Sequence, residues 1–262
     1  MNRIDRLFKR PDNGKALIGY ATAGFPDVDT SLDIARSLLR GCDILELGIP
    51  FSDPVMDGPV IQESSRRALE AGTRVEDIMN IFSALRRETD KPLLAMTYYN
   101  PVHRLGPARF AAEASRCGMD GVLVPDLPPE EIEDWRKAAG GENLSTILFA
   151  SMTTPPDRLE KLARLTQGFL YCIAVKGTTG MRKRMSDGLA NFMSRVRVHC
   201  DAPLALGLGI STPEQCRRAG ELADAVVVGS ALVKKAIDAL DRGEDPARSA
   251  GELAERLKAS LL

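Results

Sequence analysis

The sequence has little of what would mark a specialised class. It has almost no net charge: 35 Lys and Arg stand against 36 Asp and Glu over 262 residues, a balance of −1. That removes the electrostatic case for nucleic acid or an anionic membrane as partner. No apolar run reaches the length of a membrane span. The opening stretch from Met1 to Phe8 alternates charged with apolar groups and lacks the continuous apolar segment of a secretory signal. The expectation is a soluble, cytoplasmic protein. Five cysteines (Cys42, Cys117, Cys172, Cys200, Cys216) are scattered with no C-x-x-C pair, and the only histidines, His103 and His199, lie far apart. An odd cysteine count without ligand spacing reads as reduced thiols, and no metal is expected. No linker or composition shift divides the chain, so residues 1–262 are expected to form one domain.

What is present is a repeating order of short apolar runs and helical patterns. Strand-length runs fall at 16–22, around Glu46, and at 92–97, 121–124, 145–150, 169–174, 203–206 and 225–228. Between them lie helical patterns. The first, with apolar Leu32, Ile34, Ala35, Leu38 and Leu39, can be capped by Asp29 or Thr30. Others fall near 60–71, 75–89 and 107–116, around Trp135, up to about 165, and near 187–198, 213–221, 230–241 and 247–260. A short amphipathic helix precedes them all, ending near Lys9. Eight strands, each followed by a helix, with continuous rather than alternating hydrophobicity, predict an all-parallel sheet covered by helices. At this length a closed α/β barrel, (β/α)8, is the natural solution, with a doubly wound open sheet as the alternative.

In such a barrel the loops after the strands build the active site. The stretch 43–62 carries the first signal. Glu46 sits inside an apolar strand and shares a face with Ile44, while Leu45 and Leu47 share the other. Inner strand faces are poor in Lys and Arg, so no pairing partner offers itself. Unpaired burial raises a carboxyl pKa, and a carboxyl titrating near neutrality can give and take protons. Asp57 follows in a loop with three prolines; its other reading is a turn or a helix cap. Asp53, before Pro54, reads as a turn former, and Tyr171 is strand-borne and able to point inward. The last two turns, Gly207-Leu208-Gly209-Ile210-Ser211 and Gly229-Ser230, look like a phosphate cradle. Glycines admit backbone N–H groups to an anion, and a helix N-terminus adds its dipole. Gly177 to Gly180 would add a third set of donors. The alternative is that these glycines only make tight turns.

Taken together, these residues resemble the tryptophan synthase alpha chain family. Leu45 to Gln62 fits its L-E-L-G-x-P-F-S-D-P-x-x-D-G-P-x-I-Q motif throughout. The blocks from Thr22 to Asp27, Met96 to Pro101, Val124 to Pro128, Gly207 to Ser211 and Gly229 to Ala231 match in order. The resemblance implies a TIM barrel that splits indole-3-glycerol phosphate into indole and glyceraldehyde 3-phosphate. It implies Glu46 and Asp57 as catalytic acids, with Tyr171 close to the substrate. Gly180, Gly209, Gly229 and Ser230 would bind phosphate. Phe51, Tyr98 and Leu123 would wall the indole, and Thr179 would meet Asp57 when a lid closes. It also implies a beta-subunit partner in an alpha2beta2 heterotetramer. Pyridoxal phosphate would belong to that partner, and this chain would need no cofactor.

The chain departs from the family pattern in places. Met56 replaces a small residue beside Asp57, Ala174 and Thr178 differ after the sixth strand, and Met181 to Met185 make the lid basic. Two rival functions remain open to the sequence: a barrel aldolase with a Schiff base on Lys176, and a non-catalytic activator of the beta subunit. A free-standing indole producer is a variant of the main reading.

Overall fold

The computed structural model describes residues 2–10, 14–174, 182–207 and 209–262. Its elements run α1 (Arg3–Phe8), β1 (Ala16–Thr22), α2 (Val28–Gly41), β2 (Ile44–Gly48), α3 (Pro59–Glu70), α4 (Val75–Glu88), β3 (Leu93–Met96), α5 (Tyr99–Leu105), α6 (Pro107–Arg116) and β4 (Gly121–Leu123). They continue with α7 (Glu133–Gly141), β5 (Ser145–Ser151), α8 (Pro156–Leu165), β6 (Leu170–Ile173), α9 (Arg182–His199), β7 (Leu204–Gly207), α10 (Pro213–Gly220), β8 (Ala225–Val228), α11 (Ser230–Asp241) and α12 (Pro246–Ala259). The eight strands pair in chain order and close on themselves, each with its neighbour in parallel. The closed (β/α)8 barrel is therefore the architecture, and the open sheet is excluded.

The alternation of strand side chains divides the core in two. Ile18, Ile44, Leu94, Leu123, Ile147 and Val227 fill the barrel interior. Leu17, Leu45, Leu47, Leu93 and Val226 point outward and pack with the helices. Buried faces on both sides explain why the strands read as continuous apolar runs. All five cysteines are free and buried. Among the described residues no helix is long and apolar enough to cross a membrane.

Three local expectations change. The cap of α2 is Asp27, whose carboxylate accepts from the Thr30 N–H, rather than Asp29 or Thr30. Residues 99–105 form α5 where a loop was expected. Pro101 obscured it, yet a proline in the first turn forfeits only an N–H that has no helical partner. The backbone of α9 begins earlier than expected, at Arg182. The basic run there carries no apolar stripe but consists of good helix formers.

The N-terminal end of the barrel is closed by α1. Ile4 and Leu7 are buried, and Phe8 meets Phe169 at 6.0 Å between ring centres. The Asn2 amide donates to the Asp120 carbonyl at 2.7 Å and the Ser145 hydroxyl at 3.1 Å. Asp120, just before β4, accepts from Arg86 (2.6 Å), Arg3 (3.1 Å) and the Leu93 N–H (2.9 Å).

Candidate active site

Glu46 lies on the inner face of β2, in register with Tyr20 on β1 and Leu94 on β3. It is 1% exposed, no ion pair reaches it among the described residues, and its Oε2 atom has no hydrogen-bond partner. The structural alternative would require a base paired with this carboxylate, and among the described residues none pairs with it. Burial first, and the Asp57 charge second, push its carboxyl up to about 8. A group so placed holds its proton at neutral pH and can release it to a neighbour.

Asp57 sits in the loop that follows. The helix α3 starts at Pro59 with Gly58 as its N-cap and no side-chain cap bond, so Asp57 is not a cap. Its backbone is held instead: its N–H donates to the Pro54 carbonyl (3.0 Å), and the Gln62 amide donates to its carbonyl (2.8 Å). The neighbouring Met56 N–H donates to the Tyr98 hydroxyl at 3.0 Å. The Asp57 carboxyl is thus claimed by no backbone cap and has the Tyr98 hydroxyl as its hydrogen-bonding neighbour. Burial lifts it to about 6, against the opposing pull of the Tyr98 hydroxyl. Asp53 is exposed and accepts from the Ser52 hydroxyl, as a turn former should. The side chain of Met56 is 58% exposed, so a methionine at this position displaces nothing in the barrel.

Tyr171, on β6, does point inward, with its ring 5.0 Å from that of Phe149 and a Cβ on Gly207 of β7 only 3.0 Å away if one were present. Burial and the charge of Glu46 hold its phenol well above the ordinary range. Phe51 and Tyr98 stack at 5.2 Å. The Tyr98 hydroxyl organises the Asp57 loop by accepting from the Met56 N–H. Leu123 lies in the inner cluster, in register with Met96. Sequence reasoning missed three inward groups: Tyr20, Met96 and Phe149. The period-two rule that exposed Glu46 would have found Tyr20, which shares a face with Ile18.

The glycine turns stand side by side, because Gly207 and Val227 are register partners and each turn follows directly. Gly209 has φ +59, a conformation that favours glycine. Gly229 opens α11, which has no side-chain cap and no acid in its first turn. Its first N–H groups are therefore not claimed by a side chain, an arrangement suited to an anion. Ser230 is exposed at the same point. Thr179 and Gly180, together with Lys176, Gly177, Thr178 and Met181, lie outside the described residues.

Barrels that combine a proton-exchanging acid with an uncapped helix start at one mouth form a class: acid–base enzymes for small anionic substrates. This chain has that layout. The particular family follows from comparison with known proteins. The family model described as tryptophan synthase alpha chain matches residues 8–261, and the chain belongs to that family. It is 45% identical over 237 residues to the tryptophan synthase alpha chain of Geotalea uraniireducens, covering 89% of each. It is 42% identical over 261 residues to that of Alkalilimnicola ehrlichii, covering 98% of this chain and 94% of the relative. Tryptophan synthase subunit alpha from Legionella pneumophila superposes with a TM-score of 0.92 at 32% identity, over 100% of this chain and 98% of that one. Tryptophan synthase from Mycobacterium tuberculosis gives 0.88 at 35% identity, over 99% and 98%.

Proposed function

We propose that Glu46 and Asp57 carry the reaction of this family. The chain is a lyase that cleaves indole-3-glycerol phosphate to indole in tryptophan biosynthesis. The observation that carries the assignment is the inward Glu46 carboxyl with an unpartnered oxygen. The cleavage is a retro-aldol step. Glu46 gives its proton to C3 of the indole ring, which becomes an electron sink. As a carboxylate it then takes the proton from the hydroxyl on the adjoining carbon. The electron pair left on oxygen by the broken O–H bond forms the carbonyl, the carbon–carbon bond breaks, and its electrons return to the ring. Indole and glyceraldehyde 3-phosphate leave, and Glu46 ends protonated as it began. Asp57, ionised, accepts the indole N–H and stabilises the positive charge that develops on the ring. Tyr171 helps to position the substrate, and Phe51, Tyr98 and Leu123 border the indole. Gly209, Gly229, Ser230 and, outside the described residues, Gly180 grip the phosphate, while Thr179 acts in the lid.

The same reading gives the chain a beta-subunit partner, in an alpha2beta2 assembly, to which indole passes. Pyridoxal phosphate belongs to that partner, the whole of 1–262 acts as one domain, and the reaction runs in the cytoplasm. The loop after β2 supports a docking role: Val55 is 78% exposed, and with Phe51, Pro54 and Leu69 it lines a groove of about 630 Å³. Glu46→Gln tests the assignment. Indole release is expected to fall about 10²–10⁴-fold while co-elution with the cognate beta subunit in gel filtration is retained. Cleavage at the wild-type rate would overturn the role of Glu46, and failure to co-elute with a folded chain would overturn the docking surface.

A further inference from the structure

The scheme above leaves Tyr20 without a task, although it lies between the two ends of the site. β1 is flanked by β2 and β8. Tyr20 pairs in register with Glu46, and Gly19 pairs with Val228, so the residue beside Tyr20 on the other flank is Gly229. The side chain fills that interval. Its Cβ, Cγ and Cδ1 atoms lie 3.6–3.7 Å from where a Cβ on Gly229 would stand. Its hydroxyl occupies the notch left by Gly48, in the space a Cβ there would take. The residue is 5% exposed, with one edge of the ring at the α11 turn and the hydroxyl mouthward of Glu46. A ligand holding its phosphate at α11 and its reacting carbon at Glu46 has to cross over this side chain. In the substrate, that crossing is made by a three-carbon chain bearing two hydroxyls.

We propose that Tyr20 is a specificity-determining residue: its ring is the floor under the glycerol chain, and its hydroxyl donates to a hydroxyl of that chain. The inference rests on the reading of Glu46 and the α11 turn as the two ends of the site. A phenol suits the role better than a carboxylate. The groups facing Tyr20 are Thr22 on its own strand, whose hydroxyl hydrogen-bonds to the phenol oxygen and leaves the O–H to donate, Glu46 on β2, Asp57 in the next loop, Tyr98 just after β3 and Tyr171 on β6. Burial and the two acids hold its phenol far above the ordinary range, so it remains a donor throughout the working pH. It brings no further negative charge near the phosphate. Selectivity for a hydroxylated chain then follows, because a site built to bond a hydroxyl disfavours an analogue that lacks it.

Tyr20→Phe keeps the ring and removes only the donor. The measurements are kcat and KM for indole-3-glycerol phosphate and the Kd of indole-propanol phosphate, whose chain carries no hydroxyl. The expected result is a roughly five- to tenfold fall in kcat/KM, the size of one neutral hydrogen bond, with the Kd of the plain analogue nearly unchanged. An unchanged kcat/KM, or equal weakening of both ligands, would overturn the proposal. Gly48→Ala is the second variant. Its methyl evicts the hydroxyl from the notch and tilts the ring into the crossing, so both ligands should weaken; unchanged handling of both would also overturn it. Glu46→Gln separates the two readings. An active Glu46→Gln enzyme removes the underlying site, whereas an inactive one beside an unaffected Tyr20→Phe removes only the role of Tyr20.

Discussion

Two buried carboxyls, at opposite ends of one barrel, are treated in opposite ways. Asp120, 4% exposed at the closed end, is surrounded by donors from Arg86, Arg3 and the Leu93 N–H. Glu46, 1% exposed at the mouth, keeps an oxygen with no partner. Burying a carboxyl is costly unless donors replace the lost water. At the closed end that cost is offset, and the acid ties α1, α4 and β3 together. At the mouth it is left standing and appears as a raised proton affinity. Of its two buried carboxyls, the barrel thus keeps the satisfied one where no chemistry happens and the unsatisfied one where a substrate will arrive.

Glutamine at position 46 breaks the comparison at the mouth and has the largest expected effect. Removing a general acid–base group costs about 10²–10⁴-fold in rate, read as indole release. The same substitution should stabilise the fold, and the sign follows from linkage. The Glu46 carboxyl titrates near 4.5 when unfolded and about 8 when folded. The folded state therefore retains a proton that the unfolded state gives up, and wild-type stability falls as pH rises from about 4.5 to 8. Glutamine removes this penalty. Its advantage in urea denaturation should be absent near pH 4, grow through neutrality, and level off above pH 8, where it reaches the order of a few kcal/mol. A constant difference across that range would show that Glu46 is satisfied after all.

Asp120→Ala breaks the comparison at the other end. Arg86 would be left half-buried without its carboxylate, and removing one partner of a buried pair typically costs about 3–5 kcal/mol. Urea denaturation should show a loss of that size, while kcat of the folded fraction stays near wild type. A large fall in kcat with unchanged stability would mean that the two ends are coupled.

The pH profile sharpens the contrast with a smaller effect. In the proposed roles, Asp57 acts ionised and Glu46 starts protonated. With the two carboxyls near 6 and 8 in the free enzyme, kcat/KM should be highest between those values and fall about tenfold per unit outside them. The two limbs belong to an interacting pair rather than to either residue alone.

Much of this was legible in the sequence because it is local. The strands 16–22 and 225–228 and the helices 107–116 and 230–241 were delimited by apolar runs and by proline or glycine at their ends, and the structure keeps those bounds. Glu46 was legible because strand periodicity assigns its face. Asp57 was ambiguous, and only the uncapped start of α3 at Gly58 excludes the capping role. The closed end was not legible. Arg86 and Arg3 reach Asp120 from 34 and 117 residues away, and nothing near Asp120 in the chain announces them. Tyr20 was missed for another reason: inside an apolar strand it read as core, and its reach from Gly229 to Gly48 exists only once β1 lies between β8 and β2.

Tyr98→Phe has the smallest expected effect and divides the two kinds of polar contact most finely. The ring and its stacking on Phe51 survive, but the Met56 N–H loses its acceptor and Asp57 loses the neighbouring hydroxyl. One neutral hydrogen bond is worth about 1 kcal/mol, so stability should barely move. The acid limb of the pH profile should move, because the Tyr98 hydroxyl holds the Asp57 carboxyl down. Without it the Asp57 pKa rises above about 6 and the limb shifts to higher pH. A limb that stays in place would assign it to a group other than Asp57. At the closed end, a lost hydrogen bond is expected to show in the stability of the fold. At the mouth, the same loss is expected to show in where the enzyme titrates, because there the polar groups are set to hold a proton rather than a helix.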